Sequence, residues 1–280
     1  MPFFGSNAIG MFNAMTGTKL ALIRGSATTL KSPLAATMDA AGNVYAVSSK
    51  TNPALVEFAA GATGDATPAA TVTQTAYGIT TDGSNIYIAD QDAAQVVEYA
   101  ADPLQTQPWA TLEGYLTGLC SPRGIALDVL GDIYVTQLAS KGCSLTGVLV
   151  FQPLSPGKQD LSPSRTLAGR STRFKSPQGI AVDKNSNVYI ADSATSLILK
   201  FTPLQAGDEK PTGTFGTGTT PYYGVAVDNS NNLYATAAVA GSDQYGEIDV
   251  FDATKPSSLP KKILKIGKKV MQISPYLLNL

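Results

Sequence analysis

Histidine is absent from this 280-residue sequence, and cysteine occurs only twice. Histidine is the commonest metal ligand and the commonest general base near neutral pH, so any catalytic or metal site has to use carboxylates, Lys, Tyr, Ser or the two cysteines. On this basis we assign no catalytic residue, no metal ligand and no cofactor, and we expect a protein that is not an enzyme.

Charge and long apolar runs are scarce as well. Only 15% of the residues are charged and the net charge is −1, which excludes a broad basic field and predicts no nucleic-acid partner. No apolar run approaches the roughly eighteen residues that cross a bilayer, so we predict no transmembrane segment. The opening residues, MPFFGSNAIGMFNAMTG, lack a basic region followed by a long apolar one, so no intact signal peptide is visible.

One pattern occurs five times along the chain. The stretch SPQGIAVDKNSNVYIAD at 176–192 has counterparts at 32–48, 76–90, 121–137 and 222–237. Each copy contains an aspartate and, five or six residues later, a tyrosine. The aspartates are Asp39, Asp82, Asp128, Asp183 and Asp228, and the tyrosines are Tyr45, Tyr87, Tyr134, Tyr189 and Tyr234. We interpret the aspartates as turn residues and the tyrosines as core residues.

Each repeat contains four short strand-like runs. Two apolar runs flank a turn rich in Gly and Asn, which is favourable hairpin chemistry because both residues tolerate positive φ. A third run ends in an aromatic residue, such as Phe151 or Phe201, and a fourth run follows. Four-stranded units repeated every 40 to 50 residues or so are typical of a β-propeller.

The sequence Pro-x-Gly-Ile-Ala-Val-Asp followed by Asn-Val-Tyr-Ile-Ala-Asp resembles the NHL repeat, and the resemblance extends over about residues 31–267. It implies a β-propeller with a binding role. NHL domains that bind RNA present basic residues on one face, and this chain lacks them.

The ends of the chain predict how the ring closes. Residues 1–30 match the third and fourth strands of a repeat, and residues 268–280 are long enough for an inner strand. We therefore predict an all-β, six-bladed β-propeller of four-stranded antiparallel blades. It forms a single domain over 1–280, with five NHL-like blades at 31–267 and a closing blade built from 1–30 and 268–280. Such closure removes open sheet edges, and we expect a monomer.

The repeat also predicts where a ligand binds. In an antiparallel sheet, the start of the inner strand and the end of the second strand lie at the same end, here called the channel mouth. A concave mouth with converging polar groups is the default location for a site. For Asp90 and Asp192 the alternative is a structural role, in which they cap a turn. The candidate ligand-binding residues are Tyr77, Asp90, Arg123, Gln137, Gln178, Asp192 and Tyr223.

The two cysteines fall in the same repeat. Cys120 precedes an inner strand and Cys143 follows the second strand, so both lie at the mouth end. Their placement allows a disulfide or two free thiols. A disulfide implies an oxidising compartment, so we expect an extracytoplasmic or secreted protein. A nucleophilic cysteine would need a base, and the chain offers no histidine.

These observations favour a non-catalytic binding or scaffold propeller whose mouth faces a protein, peptide or glycan partner. The alternative is a divalent-cation-dependent hydrolase similar to the gluconolactonase-like six-bladed propellers. In that family carboxylate and amide oxygens hold a cation at the mouth, and here only Asp90 and Asp192 lie at matching positions.

Overall fold

The computed structural model describes seven parts of the chain, residues 2–3, 7–13, 16–48, 54–101, 103–140, 142–238 and 246–265. Within them, five four-stranded antiparallel blades follow one another in chain order, after a three-stranded sheet at the N-terminus. In each blade the strands lie in sequence order from the inner strand outward.

The strand bounds follow the repeat closely. The N-terminal sheet contains β1 (Pro2–Phe3), β2 (Ala8–Phe12) and β3 (Lys19–Arg24). Blade one contains β4 (Pro33–Met38), β5 (Val44–Ser48), β6 (Leu55–Phe58) and β7 (Ala70–Val72). Blade two contains β8 (Gly78–Thr81), β9 (Asn85–Asp90), β10 (Gln95–Ala100) and β11 (Ala110–Leu112), followed by a 3₁₀ turn at Tyr115–Thr117.

The remaining blades have the same order. Blade three contains β12 (Pro122–Leu127), β13 (Ile133–Gln137), β14 (Gly147–Phe151) and β16 (Arg165–Ala168). The loop before β16 contributes β15 (Gly157–Gln159) to the sheet of blade two. Blade four contains β17 (Pro177–Val182), β18 (Val188–Asp192), β19 (Leu197–Phe201) and β20 (Gly213–Phe215). Blade five contains β21 (Tyr222–Val227), β22 (Asn232–Ala238), β23 (Gly246–Asp252) and β24 (Lys262–Lys265).

The prediction of an all-β propeller with four-stranded antiparallel blades is confirmed. The described residues form five such blades, not six. The N-terminal sheet packs against blade five, where Ala8 lies with Ile248. It also packs against blade one, where Ile9 and Ile23 lie with Met38. The predicted inner strand at 268–280 is outside the described residues.

The repeated aspartate and tyrosine hold each inner hairpin together. In blade four the carboxylate of Asp183 accepts hydrogen bonds from the backbone N–H of Asn187 at 2.9 Å and the hydroxyl of Tyr189 at 3.0 Å. The tyrosine ring is buried between blades, and its desolvation raises the pKa of Tyr189 above the ordinary range. The same Tyr-to-Asp hydrogen bond recurs in the other four blades, at Tyr45–Asp39, Tyr87–Asp82, Tyr134–Asp128 and Tyr234–Asp228.

Blade two adds a second, buried carboxyl to this arrangement. Glu98 in β10 is 2% exposed, and its Oε1 lies 3.0 Å from the Tyr87 hydroxyl, which lies 3.0 Å from Asp82. One phenol proton cannot serve two carboxylates. Burial, together with the negative charge of Asp82, raises the pKa of Glu98 to about 7. Below this pKa, protonated Glu98 donates to Tyr87, which in turn donates to Asp82; above it, the Tyr87 hydroxyl lies between two carboxylates.

We expect the Glu98→Gln variant to lose a pH dependence of stability that the wild type has. The folded-state pKa of Glu98 is raised from 4.5 to about 7. Its stabilising contribution to the free energy of unfolding is therefore complete below about pH 4.5 and is lost as the pH rises through 7. Glutamine donates to Tyr87 at every pH. The variant should therefore exceed the wild type by about 2 kcal/mol at pH 8.5 and match it near pH 5, measured by urea unfolding.

The exposed Glu209→Gln variant serves as the control. Its free energy of unfolding should differ from that of the wild type by the same amount at every pH. If the Glu98→Gln variant and the wild type have the same pH profile, the proton assignment to Glu98 is wrong.

The inner strands approach one another through glycine. A Cβ atom built on Gly179 would lie 2.7 Å from the carbonyl oxygen of Tyr223 in the next blade, closer than any real Cβ contact. Thr136 adds a hydrogen bond of 2.6 Å from its hydroxyl to the carbonyl of Gln178, which joins blade three to blade four. These contacts fix the inner strands of blades two to five against each other. The glycine-to-carbonyl pairs are Gly78 with Arg123, Gly124 with Gln178, and Gly179 with Tyr223.

A second interblade contact lies at the rim, and we call it the interblade clasp. The loop between the third and fourth strands reaches the outer strand of the preceding blade, as when β15 pairs in parallel with β11. Asp160 accepts a hydrogen bond of 2.7 Å from the backbone N–H of Leu116. Its carboxylate occupies the space that a Cβ atom on Gly114 would need. Gly114 has a φ of 119°, a conformation that favours glycine. The clasp pairs are Asp65 with Gly25, Asp160 with Gly114, and Asp208 with Gly169.

Candidate binding site at the channel mouth

The strand pairing places the candidate residues at one end of the ring. Pro177 at the start of β17 is opposite Asp192 at the end of β18, and Pro122 is likewise opposite Gln137. Gln178 and Arg123 come directly after these prolines. The positions chosen from the repeat therefore share the channel mouth.

Three candidates from three successive blades are in contact. The Nη1 of Arg123 donates a hydrogen bond of 2.7 Å to the Oε1 of Gln178 and lies 3.4 Å from the hydroxyl of Tyr77. The guanidinium carbon lies 5.0 Å from the centroid of the Tyr77 ring, which is cation–π geometry. The Nε of Arg123 is buried and has no hydrogen-bond partner among the described residues.

Gln178 is itself held in place. It is 7% exposed, and its amide nitrogen donates to the hydroxyl of Ser176 at 2.8 Å and approaches that of Ser193 at 3.4 Å. The amide oxygen is therefore directed at Arg123. Tyr223 occupies the corresponding position in blade five and is partly buried.

Asp90 lies at the mouth end but is fully buried and bonded internally. Its Oδ1 accepts hydrogen bonds from the Thr75 hydroxyl at 2.7 Å and from the backbone N–H of Asp92 at 3.0 Å. Its Oδ2 accepts from the amide groups of Gln74 and Gln95. This corresponds to the structural alternative, in which the carboxylate caps the turn after β9.

Asp192 has the same role after β18. Its Oδ2 accepts from the backbone N–H groups of Lys175 at 2.7 Å and Ser176 at 3.0 Å. Its Oδ1 accepts from the N–H of Thr195 at 3.0 Å. The carboxylate thereby connects the loop before the inner strand to the turn after the second strand.

Gln137 and the cysteines form a third internal arrangement. The Oε1 of the fully buried Gln137 accepts from the N–H of Cys120 at 3.2 Å, and its amide nitrogen donates to the carbonyl of Gly118 at 3.1 Å. Cys120 and Cys143 are joined by a disulfide, with their Cα atoms 6.1 Å apart. The bridge closes the loop that follows β13.

A cavity of about 520 Å³ lies at the opposite, hairpin end of the ring. Sequence reasoning did not place a cavity there. The aspartates in its wall are the turn residues, so their oxygens already accept hydrogen bonds from the turn and from tyrosine. Its wall includes Thr80, Asp82, Asp128, Leu130, Asp183, Lys184 and Asp228.

Two further findings concern the described part of the chain. No three His, Cys, Asp or Glu side chains in it are grouped so as to hold a metal ion. None of its helices has the length and apolar character to cross a membrane.

Comparisons with known proteins agree with the fold. The family model for the NHL repeat matches residues 174–201. A chain in the crystal structure of the nidogen/laminin complex has a TM-score of 0.68 and 15% identity, covering 98% of this chain and 99% of that one. The C-terminal WD40 domain of Sif2 has a TM-score of 0.54 and 9% identity, covering 88% and 61%. No curated protein sequence matches. At these identities the structural likeness establishes the fold alone.

Proposed function

Because this chain is an NHL-repeat β-propeller, we propose that it acts as a non-catalytic binding scaffold whose channel mouth faces a protein, peptide or glycan partner. The contact cluster of Tyr77, Arg123 and Gln178 carries this proposal. Binding residues commonly lie on loops and strand ends that a rigid scaffold positions. Tyrosine and arginine are also the residue types that dominate binding energy at protein interfaces.

The rigidity of the mouth supports the same conclusion. The glycine-to-carbonyl contacts hold the inner strands in place, so these side chains are ordered before a partner arrives. Pre-ordering lowers the entropy that binding costs. Asp90, Gln137 and Asp192 use their polar atoms within the protein, and the buried Gln178 orients Arg123. We therefore assign the partner contacts to Tyr77, Arg123 and Tyr223.

The surroundings of the scaffold are also part of the proposal. We propose that residues 268–280 supply an inner strand to the N-terminal sheet, giving a six-bladed ring, and that the protein is monomeric. The disulfide between Cys120 and Cys143 favours an extracytoplasmic or secreted location, since such bonds persist in oxidising compartments.

The test is differential capture with a mouth variant. Immobilised wild-type protein and the triple variant Tyr77→Ala, Arg123→Ala, Tyr223→Ala are exposed to the same extract of source cells, and bound proteins and glycans are identified by mass spectrometry. We expect the triple variant to capture at least tenfold less of a ligand than the wild type does, because the three largest mouth contacts are removed.

The matched control changes three residues at the hairpin end, Val129→Ala, Leu130→Ala and Lys184→Ala, all of which are exposed. This variant should capture the same ligands as the wild type. If the mouth variant captures them equally well, or the hairpin-end variant loses them, the mouth is not the binding face.

The hydrolase alternative has its own assay. Lactone hydrolysis with added Ca²⁺ that EDTA abolishes, and that Asp90→Asn or Asp192→Asn removes, would replace the scaffold proposal with catalysis. We expect no such hydrolysis, because both carboxylates already accept hydrogen bonds from the protein.

A further inference from the structure

We propose that the channel mouth recognises the carboxylate groups of an acidic peptide segment, with Arg123 as the group that binds them. This inference rests on the proposed function, in which the mouth is the binding face, and names the chemistry of the partner. The observation behind it is a cation that is oriented by neutral neighbours and paired with no described carboxylate.

The hydrogen bonds of Arg123 leave one side of the guanidinium available. Its bonds to Gln178 and Tyr77 both use Nη1, and neither partner carries a charge. Nη2 makes no hydrogen bond to a described residue and is not among the buried unpaired atoms. An arginine fixed at one nitrogen in this way presents the other to a ligand oxygen.

Carboxylate is the acceptor that best fits this donor. Arginine–carboxylate hydrogen bonds are shorter and stronger than neutral ones, and Nη2 can donate to one oxygen of a carboxyl group. The face of Tyr77 shields the guanidinium from water on one side, which strengthens its electrostatic attraction. The carboxylates of Asp90 and Asp192 do not compete, since both are occupied by turn and loop donors.

Two lysines add positive charge beside the mouth, where the exposed Asp92 in the turn after β9 carries a negative charge. Lys31 and Lys175 are exposed and precede the Ser-Pro pairs that begin the inner strands of blades one and four. The backbone N–H of Lys175 is bonded to Asp192, which fixes its place beside the mouth. With Arg123 in blade three, they distribute positive charge around the opening. Such charge steers and selects an acidic partner.

The flanking aromatic residues favour a peptide over a free ion. Tyr77 and Tyr223 lie at the same position in blades two and five, and both are partly exposed. Their rings give apolar contact area and their hydroxyls give hydrogen bonds, which suits a chain with backbone and side chains.

Fluorescence anisotropy with labelled hexaglutamate tests the inference. The wild type should bind hexaglutamate, more weakly as salt increases, and should not bind hexalysine. Arg123→Gln should weaken hexaglutamate binding at least tenfold, and Arg123→Lys by less. The exposed Arg170→Gln, at the outer rim, should have no effect.

A second variant controls for loss of binding that is caused by misfolding of the Arg123 variants. Gln178→Glu places a carboxylate where the amide oxygen now lies, 2.7 Å from Nη1 of Arg123, and so neutralises the cation internally. It should abolish hexaglutamate binding while keeping a wild-type melting temperature. Unchanged binding in either Gln178→Glu or a folded Arg123→Gln would overturn the inference.

Two outcomes separate this inference from the proposed function. If hexaglutamate does not bind the wild type while the triple mouth variant still loses captured ligands, the charge assignment fails and the binding role stands. If the triple variant captures as the wild type does, the proposed function fails first. Equal or tighter binding of a six-nucleotide oligothymidine would also overturn the choice of a peptide.

Discussion

The Gly124→Ala variant should be less stable than the wild type by about 3 kcal/mol or more, a large effect for one added methyl group. The new Cβ would collide with the carbonyl oxygen of Gln178 in the next blade. That oxygen belongs to the backbone and already accepts a hydrogen bond from Thr136, so it cannot rotate away as a side chain would. The inner strands of blades three and four would have to separate.

Equilibrium unfolding in urea measures the effect. Ala35→Gly is the matched control, because Ala35 occupies the corresponding position in blade one and is buried at 2% exposure. Its loss of a methyl group should cost only about 1 kcal/mol. If the two variants are equally stable, close approach of the inner strands does not hold the ring together.

Removing the disulfide should also cost about 3 kcal/mol, which is the entropy expected for a bond that closes a loop with a sequence separation of 23 residues. The double variant Cys120→Ser, Cys143→Ser should melt at a lower temperature than the wild type. The backbone N–H of Cys120 is bonded to Gln137, so loosening the loop disturbs the mouth side of blade three as well.

Reductant provides the control. It should lower the melting temperature of the wild type to that of the double variant and leave the double variant unchanged. If the wild type is insensitive to reductant at a concentration that exposes two titratable thiols, the bridge does not contribute to stability.

Much of the blade could be predicted because its determinants are local. Asp183, the turn residues after it and Tyr189 lie within seven positions, so a single short pattern specifies the hairpin and its hydrogen bonds. The alternation of strands and turns then gives the antiparallel order. The number of blades was harder to predict, since β2 and β3 of the N-terminal sheet lack the aspartate–tyrosine pattern that marks a repeat.

The mouth was predictable in position but not in detail. Antiparallel order alone places Arg123 and Asp192 at the same end of the ring. It does not reveal that the Asp192 oxygens are occupied by Lys175, Ser176 and Thr195, because those donors come from loops on either side of the hairpin. The repeat pattern does not indicate the clasp that Asp160, in the loop before β16, makes with the preceding blade.

The clasp has a consequence for how the protein behaves at high concentration. An outer strand with free N–H and C=O groups is a template on which another molecule can add a strand. In blade two that strand, β11, is covered by β15, which is only three residues long and carries Lys158. Short length and an exposed lysine both discourage strand addition, so the rim of blade two resists edge-to-edge aggregation.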